Sequence, residues 1–392
     1  MKILHLNTHD DGGSHEVAAA VSRALRALGH DSTVVTRGRS DRTFTDRLLR
    51  RGSLAFAKGP WHGTRRRAAA PDLELLRGVD VVHLHTVADW FDLPGWLGRL
   101  PAEVRVVVGL HDLWHLSGGC FVFAGCEAFA SGCRRCPLLR FPADRWFAAD
   151  EIRRKTAAYH DRRASFVANS EWLRVLAERS PVTRGRQVTV VPPPVDLAVF
   201  TIRDREACRR ELGLREDDLV VATGCAAVTD SNKDTAGLLG VLAELGEPCL
   251  HALVFGAGTI PAPAGLRISW LGKLESKEQL AKVYAAADVF TTASRMETYG
   301  LTLVEALCCG TPVVAHRVGG IPEAAPEGDC VSLCVPGDRA AFGLAVLERL
   351  RKRNRVPEDF VARVIAPRNG TAAVAAATLA VYESCEPRST AG

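Results

Sequence analysis

The sequence predicts an α/β protein of two doubly wound domains, each a parallel sheet covered by helices. Three observations carry that expectation. Short β-branched runs alternate with longer amphipathic stretches along the whole chain, the pattern of strands buried between helices. Pro192, Pro193 and Pro194 break the chain near its middle, where three prolines continue neither a helix nor a central strand. The 392 residues suffice for two domains with separate cores.

In the first half, strands are expected at 2–7, 32–36, 80–85, 104–109, 165–168 and 188–191. A helix is expected over 13–28, with Val17, Val21, Leu25 and Leu28 along one face and Gly29 as its stop. After the prolines, strands are expected at 219–223, 250–255, 266–270, 288–292, 312–315 and 330–334, with helices between them and an Ala-rich helix over 371–383. The domains are therefore drawn at 1–191, with a Cys-rich insert at 111–137, and at 195–368. The segment 369–392 is expected to be a helix packing back toward the first domain. Two such domains facing each other leave a cleft at the carboxyl ends of both sheets.

Composition narrows the function. The chain is 47% apolar and 24% charged, ordinary values for a globular protein. A net charge of +5 in so long a chain is no nucleic-acid footprint. No stretch approaches the roughly 20 apolar residues of a membrane span. The opening run ends at His9, Asp10 and Asp11, too early for a signal peptide, so a cytoplasmic location is expected. Ten basic residues, Arg37, Arg39, Arg42, Arg47, Arg50, Arg51, Lys58, Arg65, Arg66 and Arg67, face only Asp41 and Asp46 in one segment. That segment reads as a solvated surface, with peripheral contact to an anionic membrane as the alternative.

The most informative string runs from Ser294 through Glu297, Gly300 and Glu305 to Gly310 and Pro312. Its two glutamates are eight residues apart, with a strand before them and a helix expected to open near Gly300. Free N–H groups at that helix start suit a phosphate, and flanking carboxylates suit vicinal hydroxyls. Taken alone, the pair could also be two unrelated side chains on a surface helix.

The whole string resembles the signature of retaining glycosyltransferases of family 4, which have the two-domain GT-B fold. The resemblance extends to 1–20, to 190–200, to 270–294 and to Gly319-Gly320-Ile321-Pro322-Glu323. It implies roles. Glu297 binds donor-sugar hydroxyls, Glu305 binds the ribose diol, and the Gly300 and Leu301 amides approach the sugar and the diphosphate. Lys233 corresponds to the diphosphate-binding lysine; the usual glycine after it is here Asp234, and the usual upstream arginine is missing, with Arg295 as a possible substitute. Gly12 and Gly13 form a side-chain-free turn beside the donor, and His111 stands beside donor sugar and acceptor. The reaction implied is front-face transfer, in which the leaving diphosphate helps to deprotonate the acceptor. Lys233, His111 and Glu297 are thus the candidate catalytic residues, and no metal or other cofactor is needed for catalysis.

Cys120, Cys126, Cys133 and Cys136 cluster in the insert. Four thiolates can close a structural zinc site, and paired disulfides or free thiols are the alternatives. The loops expected to face the acceptor carry Asp10, Asp11, Glu16, Asp89, Asp92 and Asp112. If they do more than cap turns, they attract a cation. The expected reaction is therefore transfer of GlcNAc or glucose from a UDP-sugar to a small polyhydroxylated acceptor, with an aminocyclitol such as 2-deoxystreptamine in antibiotic biosynthesis as the specific expectation. A resemblance to aminocyclitol-antibiotic glycosyltransferases, at family level, supports that choice. The rivals are assembly of a cell-surface or lipid-linked glycan, nucleotide-sugar 2-epimerisation, and a non-enzymatic zinc-containing binding protein.

Overall fold

The computed structural model describes residues 1–37, 57–58, 62–64, 70–122 and 125–388. The chain divides into one unit of Met1–Pro192 with Val374–Gly392, and a second of Pro193–Ala373. Each is built on a six-stranded parallel sheet, as the sequence predicts.

The first unit contains β1 (Lys2–Asn7), β2 (Asp31–Thr36), β3 (Val81–Leu84), β4 (Arg105–Leu110), β5 (Ser165–Ala168) and β6 (Val188–Val190). Their spatial order is β2-β1-β3-β4-β5-β6. The chain steps one way from β1 to β2 and the other way to β3, so the loops after β1 and β3 part at the carboxyl end of the sheet. The helix Gly13–Ala27 buries Val21 and Leu25. Leu28 departs from the expected apolar face: the helix has ended by then, and its side chain is 54% exposed. The C-terminal helix Thr371–Ser384 lends Val374, Val381 and Tyr382 to a core that also holds Ile3, Leu25, Val81 and Val107.

The second unit contains β7 (Leu219–Ala227), β8 (Leu250–Ala257), β9 (Arg267–Gly272), β10 (Val289–Thr292), β11 (Val313–His316) and β12 (Val331–Cys334), in the order β12-β11-β10-β7-β8-β9. Helices cover both faces, so neighbouring residues along a strand enter different cores. Val220, Phe290 and Val313 enter one, and Val221, Val289 and Val314 the other. The order reverses between β7 and β10, and the loops after those strands part at the sheet's carboxyl end. The unit's two ends run side by side: Val195 N donates to Asn369 O at 2.7 Å, and Asn369 Nδ2 to Pro193 O at 2.9 Å. Among the described residues, no helix is long and apolar enough to cross a membrane.

Candidate functional site

In the second unit, the loops that part after β7 and β10 carry Lys233 and Glu297. Arg295 N donates to Asn232 O at 2.8 Å, and Asn232 Nδ2 to Met296 O at 2.9 Å, so the two loops are tied. Lys233 Nζ donates to Glu297 Oε1, the oxygen that also accepts from Ser294 Oγ at 2.8 Å. Ser294 is fully buried and held by Thr292 Oγ1 at 2.9 Å. Burial opposes the Lys233 charge, but the Glu297 carboxylate outweighs it and raises the lysine's pKa. The result is a fixed ammonium–carboxylate pair at the switch point of the sheet.

The backbone of Glu297 is clamped from the other side. Gly320 N donates to Glu297 O at 3.0 Å, and a Cβ on Gly319 would lie 1.8 Å from that oxygen. Only glycine fits there. Asp234, the departure from the usual glycine, has φ 49° and heads the helix Thr235–Glu244. That left-handed conformation explains why glycine suits the position, and aspartate is among the few other residues that tolerate it. Its carboxylate takes Arg295 Nη2 at 3.3 Å, so Arg295 stands at the lysine's turn while its side chain stays 66% exposed.

The helix Leu301–Cys308 opens at Gly300, φ 104°, with no side chain capping its first turn. Glu305 lies one and a half turns in and accepts from Tyr284 Oη at 3.2 Å. A cavity of about 320 Å³ nearby is lined by Asp234, Arg295, His316, Arg339 and Phe342 among others. Ser294, Asn232 and Tyr284 were not singled out from the sequence. Ser294 sits inside the signature string, so its position was available, but its bond to Glu297 was not.

In the first unit, Gly12 precedes the helix Gly13–Ala27 and Gly13 opens it, and a Cβ on either would meet nothing within 4 Å. Asp10, Asp11 and Glu16 lie on or beside this turn, Asp10 exposed and the other two half-buried. Asp89, Asp92 and Asp112 sit farther along the chain and accept hydrogen bonds. Asp89 accepts from His62 Nδ1, and Asp92 from Arg154 Nη2 at 2.7 Å. Asp112 accepts from Trp114 N at 2.7 Å, and burial raises its pKa to about 6 despite that bond.

His111 follows β4 and joins a buried set of histidines that sequence reasoning missed: His5, His83, His85 and His115. Burial lowers all five, to about 3 for His5 and His115 and to about 4 for His111. They are neutral imidazoles near pH 7. The alternation of His83 and His85 was a visible signal that both face one side of a strand.

Cys120, Cys126, Cys133 and Cys136 line one cavity of about 100 Å³, and all four are free thiols. Burial raises Cys133 to about 12 and also raises Cys120 and Cys136. Among the described residues, the set of three ligating side chains with all ligand atoms within 4.8 Å is His5, His83 and His85, not the cysteines. The thiols thus share a cavity without forming a closed coordination shell. Of the basic segment, Arg39, Arg42, Arg47, Arg50, Arg51, Arg65, Arg66 and Arg67 lie outside the described residues. Arg37 corrects the solvated reading at its own position: it is buried and donates to Asp89 O at 2.6 Å.

Residues 11–199 match the family described as Glycosyltransferase Family 4, and residues 220–352 match Glycosyl transferases group 1. A D-inositol 3-phosphate glycosyltransferase of Mycolicibacterium smegmatis is 37% identical over 268 residues, which are 64% of this chain and 54% of that protein. Its counterpart in Segniliparus rotundus is 36% identical over 190 residues, 43% of this chain and 42% of that protein. The chain spans about half the length of these curated relatives or less. Sucrose-phosphate synthase from Thermosynechococcus elongatus has a similar structure, with TM-score 0.69 at 19% identity over 97% of this chain and 98% of that one. Anabaena Alr3699/HepE in complex with UDP and glucose gives TM-score 0.67 at 18% identity, over 98% and 100%. These two likenesses bear on the fold alone. Each half of the chain is thus matched by one glycosyltransferase family model, family 4 on the first and group 1 on the second, and the whole chain has the GT-B fold of these solved glycosyltransferases.

Proposed function

We propose that the chain is a retaining glycosyltransferase that moves a hexosyl group, GlcNAc or glucose, from a UDP-sugar to a small cyclitol acceptor. The observation that carries this reading is the Lys233–Glu297 pair, held by Ser294 beside the uncapped helix start at Gly300. In this role Lys233 leaves Glu297 for the donor's diphosphate, and Glu297 is freed to accept hydrogen bonds from sugar hydroxyls. Lys233, Arg295 and the Gly300 and Leu301 amides stabilise charge on the leaving diphosphate. Gly12 and Gly13 admit the donor against backbone, and His111 stands at the sugar and acceptor. The leaving phosphate takes the acceptor proton, so the protein's work is orientation and charge stabilisation.

The names of the curated relatives support a cyclitol ring. The acidic turn of Asp10, Asp11 and Glu16 favours an amine-bearing one. The test is product analysis by mass spectrometry with UDP-GlcNAc and UDP-glucose against 2-deoxystreptamine, inositol and inositol phosphate. A mono-glycosylated 2-deoxystreptamine is expected. Product from inositol phosphate alone would reject the amine preference, and turnover of nucleotide-sugar without acceptor would point to epimerisation.

Glu305→Ala is expected to weaken UDP binding about tenfold, the worth of one or two hydrogen bonds to a charged group, with little change in kcat. Calorimetry of UDP binding checks it, and unchanged affinity rejects the ribose role. Zinc at Cys120, Cys126, Cys133 and Cys136 remains a proposal, supported by their shared cavity; the sulfurs would draw together around the ion. About one equivalent of zinc in the purified protein is expected, with loss of thermal stability on chelation. Metal-free protein of full activity rejects it.

A further inference from the structure

Beyond the last clustered cysteine, residues 137–147 read Pro-Leu-Leu-Arg-Phe-Pro-Ala-Asp-Arg-Trp-Phe. Leu139 and Ala143 are buried, but Phe141 is 70% exposed and Trp146 53%. One exposed apolar side chain needs no explanation; two large aromatics on one turn do. The turn is ordered by its own backbone. Asp144 N donates to Arg140 O at 3.1 Å, Arg145 N to Pro142 O at 3.2 Å and Trp146 N to Ala143 O at 3.4 Å. Cys136 N donates to Asp144 O at 2.9 Å and ties the turn to the Cys-rich insert.

The charges around the two rings have one sign. Arg140 and Arg145 are exposed on the same turn, and the Arg145 guanidinium lies 4.9 Å from the centre of the Phe141 ring. Arg134 and Arg135 are exposed just before Cys136. Lys58, from the basic segment, joins them: its N donates to Leu138 O at 2.8 Å, and Ala57 bridges to Leu139. Among the described residues, no carboxylate pairs with any of these five cations. The acids nearest in sequence are engaged or turned in: Glu127 pairs with Arg179, Asp150 with Arg153, and Oδ1 of Asp144 is buried.

A surface shaped only for solubility would mix its charges and hide its rings. Cations beside aromatics fit two kinds of polyanion, a bilayer of anionic lipid and a single-stranded nucleic acid. A base stacks on an open ring face. Here Arg145 covers Phe141, and Trp146 meets Phe147 edge to face with ring centres 5.2 Å apart. A headgroup layer needs no open face. It takes the apolar bulk of the rings and sets phosphates beside the guanidiniums.

We propose that the turn 140–146 docks the protein on an anionic membrane surface, with Phe141 and Trp146 entering the headgroup layer and Arg134, Arg135, Arg140 and Arg145 meeting lipid phosphates. The two signals work together. Each cation near the surface is worth about fivefold in binding, and stable anchoring takes an apolar element besides. The inference stands apart from the reaction proposed above, which sets donor and acceptor on other loops.

The experiment is co-sedimentation of the full chain with vesicles of phosphatidylcholine, alone or mixed with about one third phosphatidylglycerol, at about 0.1 M salt. Binding to the mixed vesicles only is expected. Arg140→Gln combined with Arg145→Gln should weaken it about 25-fold, and raising the salt to about 1 M should weaken it in the wild-type protein too. Phe141→Ser and Trp146→Ser should each weaken it about tenfold, the worth of about 60 Å² of apolar surface withdrawn from water. Both side chains are exposed, so these variants keep the fold, which circular dichroism checks. Binding indifferent to the aromatic variants, equal binding to pure phosphatidylcholine, or no binding to either vesicle overturns the proposal. So does a complex with oligo-uridine, or a dimer in sedimentation velocity, that Trp146→Ser dissolves, since either gives the patch to another occupant.

Discussion

Acidification from pH 6.5 to 4 is expected to strip the first unit of most of its stability. Burial holds His5, His83, His85, His111 and His115 below their ordinary value of 6.5. The unfolded chain takes up protons at about 6.5, while the folded chain refuses them until far lower pH. The stability they contribute is therefore full above pH 6.5 and lost as the pH falls toward the folded values. Each histidine adds about 1.4 kcal/mol of loss per pH unit once the unfolded form is protonated, so five acting together lose about 14 kcal/mol over two units, near the top of the range for an ordinary domain. Asp112 works in the opposite sense. Its raised pKa of about 6 favours the folded state below its unfolded value of 3.8, and that contribution is lost as the pH rises through 6. It offsets about one histidine in the same window. Urea midpoints at pH 7, 6 and 5 should fall steeply, and His5→Asn should make the fall shallower. A midpoint unchanged from pH 7 to 5 would contradict the neutral buried cluster.

Lys233→Ala is expected to lower kcat by about two to three orders of magnitude, the usual cost of removing one charge-stabilising donor from a transition state. Glu297→Ala should lose about as much, because it removes the contact to the sugar and leaves the Lys233 ammonium without its carboxylate. The two losses should come close to adding in the double variant, since with donor bound Lys233 holds the diphosphate and Glu297 the sugar. Steady-state kinetics with the best donor and acceptor checks this. A kcat within about threefold of wild type in Lys233→Ala would remove the lysine from the chemistry.

Twelve strands could be read from the sequence because parallel strands buried on both faces are nearly continuous β-branched runs, as in Val106-Val107-Val108. The glutamate string was legible for a different reason: Glu297 and Glu305 sit on one strand–loop–helix unit, so spacing translates into geometry. The histidine cluster was not legible. His5, His85 and His111 are distant in sequence, and only strand register brings their rings together. Asp234 looked like a defect in the family pattern until its left-handed backbone explained it. Arg37 looked solvated because charge composition carries no information on which arginine folds inward to a carbonyl such as Asp89 O.

The two units differ in how the chain pays them out. The second is one continuous run, Pro193–Ala373, but the first needs both Met1–Pro192 and the stretch from Val374 onward. On the ribosome, the unit that starts first is therefore the last to finish. Its core lacks Val374, Val381 and Tyr382 until residues beyond Ala373 emerge, and His83 waits as long for the Tyr382 hydroxyl. A nascent chain halted after Ala373 would carry a completed second unit trailing an unfinished first one. A stop just after Ala373 thus damages the unit that was synthesised before the intact one.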